Sequence, residues 1–186
     1  MAAARAAAVL ARPIAFVGLP GAGKSTVGRA VAERLGAPFV DLDARLAAAY
    51  GGSIAQLFAE QGEAEFRQRE ADLTAQLLAE PPAVWAPGGG WVTAPGVLAQ
   101  IRGQVSMIHL AVRPDSAAAR LQHDATRRPL LAVAEPARVL ARLLAERAPA
   151  WAGADLSLDT DTLSLPDLVA AACAFARGRP TGRDSR

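Results

Sequence analysis

Lysine is almost missing from this sequence. The chain carries 20 basic residues, and only Lys24 is a lysine. Arginine fills the rest, as a GC-rich coding bias would produce. A lysine that persists alone marks a position where arginine will not serve. Cysteine is equally scarce. The single Cys173 excludes an internal disulfide framework and makes a reducing, cytoplasmic setting the expectation. It lies in "LVAAACAFA", where it reads as a small core residue. A charge imbalance is missing too. The net charge of +2 gives no electrostatic ground for a nucleic-acid or membrane partner. No apolar run approaches the roughly 20 residues of a membrane span. The two histidines lack the partner spacing of a metal site. His109 lies in a strand pattern and reads as a packed residue, and His123 reads as solvated.

What is present is globular. The chain has 186 residues, 52% hydrophobic and 20% charged, which fits one domain with a sizeable core. Residues 1–12 read as an N-terminal extension, too short and too poor in serine for a transit peptide. The domain is expected over 13–176, and the tail 177–186, "RGRPTGRDSR", reads as disordered.

Strand and helix patterns alternate along the domain. "PIAFVG" and "PFVDLD" read as strands, with a helix from Lys24 to Leu35 between them that stops at Gly36. Helical patterns follow in "ARLAAAY", "SIAQLFAEQ" and "AEFRQREADLTAQLLAE". "AVWA" is a short strand, with a helix near Gly96 to Arg102. "VSMIHLAV" is a strand, and a helix starts at Pro114. "EPARVLARLLAERA" is a helix, "ADLSLD" a last strand and "SLPDLVAAACAFA" the closing helix. The alternation predicts an α/β fold of three layers, with about five parallel strands flanked by helices. Ligands of such sheets bind beyond the C-terminal strand ends.

"GLPGAGKST" matches G-x-x-x-x-G-K-[ST] from Gly18 to Ser25, after a strand and before a helix, the context that identifies a phosphate-binding P-loop. The amides of Gly21, Ala22, Gly23, Lys24, Ser25 and Thr26 form an anion nest at a helix start. Lys24 is a compact charge suited to the β- and γ-phosphates. The Ser25 hydroxyl can ligate Mg²⁺. The motif implies ATP-type binding but not the acceptor.

Four further stretches carry candidate chemistry. In "DLD", Asp41 and Asp43 are expected at the end of the second strand with both carboxylates on one face. Asp41 can hold Mg²⁺ through water. Asp43 either accepts the proton of an attacking hydroxyl or merely caps the next helix. In "GEAEFRQRE", Arg67 and Glu70 are helical neighbours, either a grip for a ligand carboxylate or an ordinary solvated ion pair. "RRPLL" suggests a lid over about 121–133 that brings Arg128 to the nucleotide, or else a surface linker. In "ERAPAW", Arg147 is expected to end a helix before Pro149, as a dipole-complementing cation or a second arginine on an acidic acceptor. "APGGGW" raises its own question, because Gly88, Gly89 and Gly90 leave three successive positions without side chains.

The order and spacing of these motifs, from about Pro13 to Ala174, resemble the shikimate kinases of the P-loop kinase superfamily. "GKST" alone is unspecific, whereas "DxD", "GE-x-x-FR-x-x-E", "GGG" and "ER-x-P" together are highly specific. The resemblance implies a P-loop kinase fold with a mobile lid. It implies phosphorylation of the 3-hydroxyl of shikimate by ATP with Mg²⁺, held by Ser25 and Asp41. It implies catalytic roles for Lys24 and Asp43, with Asp43 on the ring hydroxyls. Arg67 and Arg147 would take the carboxylate, Gly88–Gly90 would lie against the ring, and Arg128 would close over ATP. The partners would be ATP and a small carboxylate-bearing polyol, bound by a cytoplasmic monomer. Three residues depart from the family pattern, one of them Arg120, which lies near the family's first lid arginine without aligning with it. Trp91 stands where something smaller is usual and would lie beside the ring. Trp151 stands where a tyrosine is common. A kinase of another small hydroxy acid, or a non-catalytic sensor built on the same fold, are the alternatives to this reading.

Overall fold

Ile14–Val17 are four successive apolar residues, all buried, and form the central strand β1. A strand covered on both faces needs apolar residues at every position, and each large side chain buried contributes about 1.5–3 kcal/mol. In this computed structural model residues 10–122 and 135–178 are described. The first nine residues, most of the expected lid with His123 and Arg128, and residues 179–186 lie outside the described residues.

Four more strands join β1, namely β2 (Phe39–Asp41), β3 (Val84–Ala86), β4 (Ser106–Ala111) and β5 (Leu156–Asp159). All pairings are parallel, in the order β2-β3-β1-β4-β5. Among the described residues seven α-helices flank the sheet: α1 (Lys24–Leu35), α2 (Leu42–Tyr50), α3 (Ile54–Ala79), α4 (Val97–Ile101), α5 (Pro114–Gln122), α6 (Pro136–Trp151) and α7 (Leu165–Ala176). The expected α/β layering is therefore observed. Among those residues no helix is long and apolar enough to cross a membrane.

The strand order positions the site. β2, β3 and β1 are neighbours, so the segments that leave their C-terminal ends lie side by side. Those segments are the "DLD" stretch, the glycine run and the P-loop. Two helical patterns expected around "SIAQLFAEQ" and "AEFRQREADLTAQLLAE" are joined in α3 across a break at Gly62, whose φ of 79° is left-handed. Ser53 and Gln56 close a reciprocal capping box at its start.

Candidate active site

The P-loop begins where β1 ends. Gly23, at φ 89°, is the N-cap of α1, and no side chain caps that helix. By contrast, side chains of Asp41, Ser53 and Ser164 cap α2, α3 and α7. The first amides of α1 therefore have no side-chain acceptor of their own, which suits an anion. Lys24 is only 7% exposed. Its Nζ donates to the carbonyls of Gly18 and Leu19, at 3.0 Å each. The ammonium is thus held inside the loop, beside the helix start.

Ser25 Oγ donates to Asp41 Oδ2 at 3.0 Å. A hydroxyl and a carboxylate, both hard oxygen donors, are brought together at the mouth of the loop, which is the donor chemistry that Mg²⁺ prefers. Among the described residues no group of three or more His, Cys, Asp or Glu side chains is gathered to hold a metal by itself. The second strand ends at Asp41, two residues before the expected end at Asp43. Asp41 is the N-cap of α2, accepting from the Ala44 amide at 3.2 Å. Asp43 lies in the first turn of that helix, so it is not the cap. Its carboxylate is directed at the glycine run instead.

The geometry of that run answers why it has no side chains. A Cβ on Gly88 would lie 2.8 Å from Asp43 Oδ1. One on Gly89 would lie 2.9 Å from an Arg147 guanidinium nitrogen, and one on Gly90 2.6 Å from an Arg67 guanidinium nitrogen. Each glycine faces one charged group of the chain itself. The sequence suggested only that a ligand needs the space. The structure adds that three charged side chains already reach the bare backbone.

Arg67 and Arg147 come together although eighty positions separate them. Arg67 bonds Glu70 Oε2 at 2.5 Å and Glu63 Oε1 at 3.2 Å. Glu70 is 1% exposed, which removes the solvated-helix-face alternative. Burial pushes its carboxyl up to about 7, against the opposing pull of Arg67. Burial, and then the neighbouring positive charge of Arg67, hold the Arg147 guanidinium below its ordinary value. Two guanidinium groups are gathered around the buried Glu70, with the exposed Glu63 also on Arg67, and they present planar, fork-shaped donors of the kind that recognise a carboxylate. Arg147 does not end its helix. α6 continues through Pro149 to Trp151.

Trp91 is also placed otherwise than expected. It opens a single 3-10 turn, Trp91–Thr93, and is fully buried rather than beside an acceptor. Its indole packs edge-on to Trp85, with ring centroids 6.4 Å apart, and its Nε1 donates to Thr74 Oγ1 at 2.8 Å. Trp151 is buried and stacks on His109 at 5.3 Å between centroids. His109 Nδ1 shares a 3.2 Å hydrogen bond with Ser157 Oγ, and burial lowers its pKa. Arg120 of α5 bonds the Thr160 hydroxyl and carbonyl at 2.9 and 2.8 Å, which ties α5 to the segment after β5. Thr74 was not singled out from the sequence, although it lies one helical turn beyond Glu70.

Comparison with known proteins follows the same lines. Residues 20–174 match the family described as shikimate kinase. A shikimate kinase of Paracidovorax citrulli is 42% identical over 140 residues, 74% of this chain and 76% of that one. Another, from Synechococcus sp., is 38% identical over 170 residues, 89% of each chain. Among solved structures, shikimate kinase from Acinetobacter baumannii in complex with shikimate superposes with a TM-score of 0.84 at 31% identity, covering 92% of this chain and 96% of that one. The shikimate kinase of Aquifex aeolicus gives 0.73 at 25% identity, covering 89% and 96%. A gluconokinase from Sinorhizobium meliloti gives 0.56 at 18% identity, over 90% and 92%, and shares the fold alone.

Proposed function

This chain belongs to the shikimate kinase family, and from that membership we propose how its own residues divide the work. The reaction transfers the γ-phosphoryl group of ATP to the 3-hydroxyl of shikimate. The observation that carries the assignment of roles is the convergence of Asp43, Arg147 and Arg67 on Gly88, Gly89 and Gly90, beside the P-loop.

Arg67 and Arg147 bind the acceptor carboxylate, and the buried Glu70 keeps Arg67 in one orientation. Asp43 accepts the proton of the 3-hydroxyl as its oxygen attacks the γ-phosphorus. The bond from that phosphorus to the bridging oxygen breaks, and ADP leaves. Lys24 and the amides of residues 21–26 neutralise charge that spreads over the phosphates. The bare amides of Gly88–Gly90 donate towards the acceptor. Arg128 closes over ATP. Ser25 and Asp41 are the residues that would hold Mg²⁺, which supplies charge neutralisation on the phosphate oxygens when bound. The enzyme works as a cytoplasmic monomer, with ATP and shikimate as its partners.

A steady-state comparison of Arg67→Ala and Arg147→Ala tests this division. Removing one partner of a desolvated charge pair costs about 2–5 kcal/mol. Each change is expected to raise the shikimate KM strongly and leave the ATP KM nearly unchanged. The double variant loses less than the sum, since both arginines hold one anionic group. Shikimate with its carboxylate replaced by hydroxymethyl is indifferent to either change. Loss of ATP affinity in both variants would give these arginines to the nucleotide and overturn the assignment.

A further inference from the structure

Behind the glycine run lies a chain of hydrogen bonds with no part in the roles given above. Trp91 Nε1 donates to Thr74 Oγ1 at 2.8 Å, and Thr74 Oγ1 donates to the Glu70 carbonyl at 2.7 Å. Both side chains are fully buried, at 0% exposure. Thr74 is thus an acceptor and a donor at once, which a hydroxyl can be and an aliphatic group cannot. One end of this chain is the helical turn that bears Arg67 and Glu70. The other end follows Gly90 directly, and the Trp91 amide bonds back to the Gly88 carbonyl at 3.1 Å. Gly90 and Arg67 approach so closely that a single methyl group would not fit between them. The spacing of the glycine backbone from the Arg67 guanidinium therefore depends on what fixes the run to α3. The edge-on contact of Trp91 with Trp85 of β3 fixes the other side of the indole.

We propose that Thr74 and Trp91 are positioning residues for the acceptor, setting the Gly88–Gly90 backbone against Arg67 through the indole–hydroxyl bond. Neither touches substrate. They act through Arg67 and the glycine amides, so this inference rests on the acceptor role given to those groups. A misplacement near 1 Å at such a site can cost about a hundredfold in rate. The P-loop, by contrast, is attached through β1 and α1 and is not held by this bond.

The test uses the full chain, four single variants and one double variant, with shikimate and ATP titrated separately. Thr74→Val keeps the shape of threonine and removes the hydroxyl. Thr74→Ser keeps the hydroxyl. Trp91→Phe removes the donor, and the Thr74 hydroxyl keeps its bond to the Glu70 carbonyl, so this variant serves if Thr74→Val does not fold. Arg67→Ala is the control for the acceptor site. Thr74→Val and Trp91→Phe are expected to raise the shikimate KM about tenfold while the ATP KM stays within about twofold. Thr74→Ser is expected to restore the shikimate KM to within about twofold of the parent. The double variant Thr74→Val with Trp91→Phe should lose less than the sum of the two single variants, because the indole–hydroxyl bond is common to both. If Arg67→Ala raises the shikimate KM and neither Thr74→Val nor Trp91→Phe does, the positioning role is overturned. It is equally overturned if both KM values rise together, or if serine does not rescue. If Arg67→Ala itself leaves the shikimate KM unchanged, the acceptor assignment fails first, and the positioning role falls with it.

Discussion

A methyl group on Gly90 would stand 2.6 Å from the Arg67 guanidinium, the far end of a long side chain, and could fit only by pushing that guanidinium away from its place beside the buried Glu70. Gly90 has an ordinary backbone conformation, with φ −98°, so alanine there meets no backbone strain. Gly18 is different. Its φ of 144° and a Cβ position 2.5 Å from the Leu110 carbonyl oxygen leave no room that a flexible side chain can yield.

The two glycines therefore separate function from stability. Gly90→Ala is expected to raise the shikimate KM about tenfold or more, with a melting temperature close to the parent. Gly18→Ala is expected to lose about 2 kcal/mol or more of stability, read by urea unfolding. Equal losses of stability in the two variants would refute the distinction.

Asp41 and Asp43 offer a second separation, because only Asp41 caps α2. Asp43→Asn is expected to lower kcat about a hundredfold while unfolding like the parent. Asp41→Ala removes the cap and should lower stability by about 1 kcal/mol. A full-rate Asp43→Asn enzyme rejects its role as base.

Glu70 gives a pH signature in the ligand-free protein. Its carboxyl is pushed up to about 7 by burial, from an ordinary 4.5. Between these values the folded chain holds a proton that the unfolded chain releases. Its contribution is therefore fully present below pH 4.5, shrinks as pH rises, and is gone above about pH 7. The size is about 3 kcal/mol at the usual energy per pKa unit. Glu70→Gln lacks this titration. Its stability relative to the parent should climb across that window and level off above it, in denaturant melts at several pH values. Parallel curves for the two proteins would show that Glu70 does not titrate there.

The glycine turn and the start of α1 at Lys24 were legible in the sequence, because both are local. The parallel sheet was legible from the alternation of strand and helix. Three placements were not. Pro149 read as the end of a helix, since proline inside one costs about 3 kcal/mol. Burial of Trp151 against His109, worth a similar amount, carries α6 past it. Trp91 read as a wall of the acceptor pocket, but a 3-10 turn after the glycines sends its ring into the core, where Thr74 takes its proton donor. Asp43 read as part of a strand, and only the start of α2 at Leu42 turns its carboxylate to Gly88. Each of these depends on a contact distant in sequence, which no local pattern contains.

The ammonium held between the Gly18 and Leu19 carbonyls belongs to the one side-chain amine in the chain. Amine-directed chemistry therefore has a single side-chain address, and it is the phosphate loop. Dyes, cross-linkers and coupling resins that normally decorate surface lysines would have only the α-amino group or Lys24 to react with. The extent of a second label per molecule, counted by intact mass, then reports the accessibility of Lys24, and saturating ATP should suppress it. For the same reason, immobilising this enzyme through its amines is self-defeating wherever Lys24 is consumed, and attachment through an added tag or carboxylate chemistry is the route that preserves it.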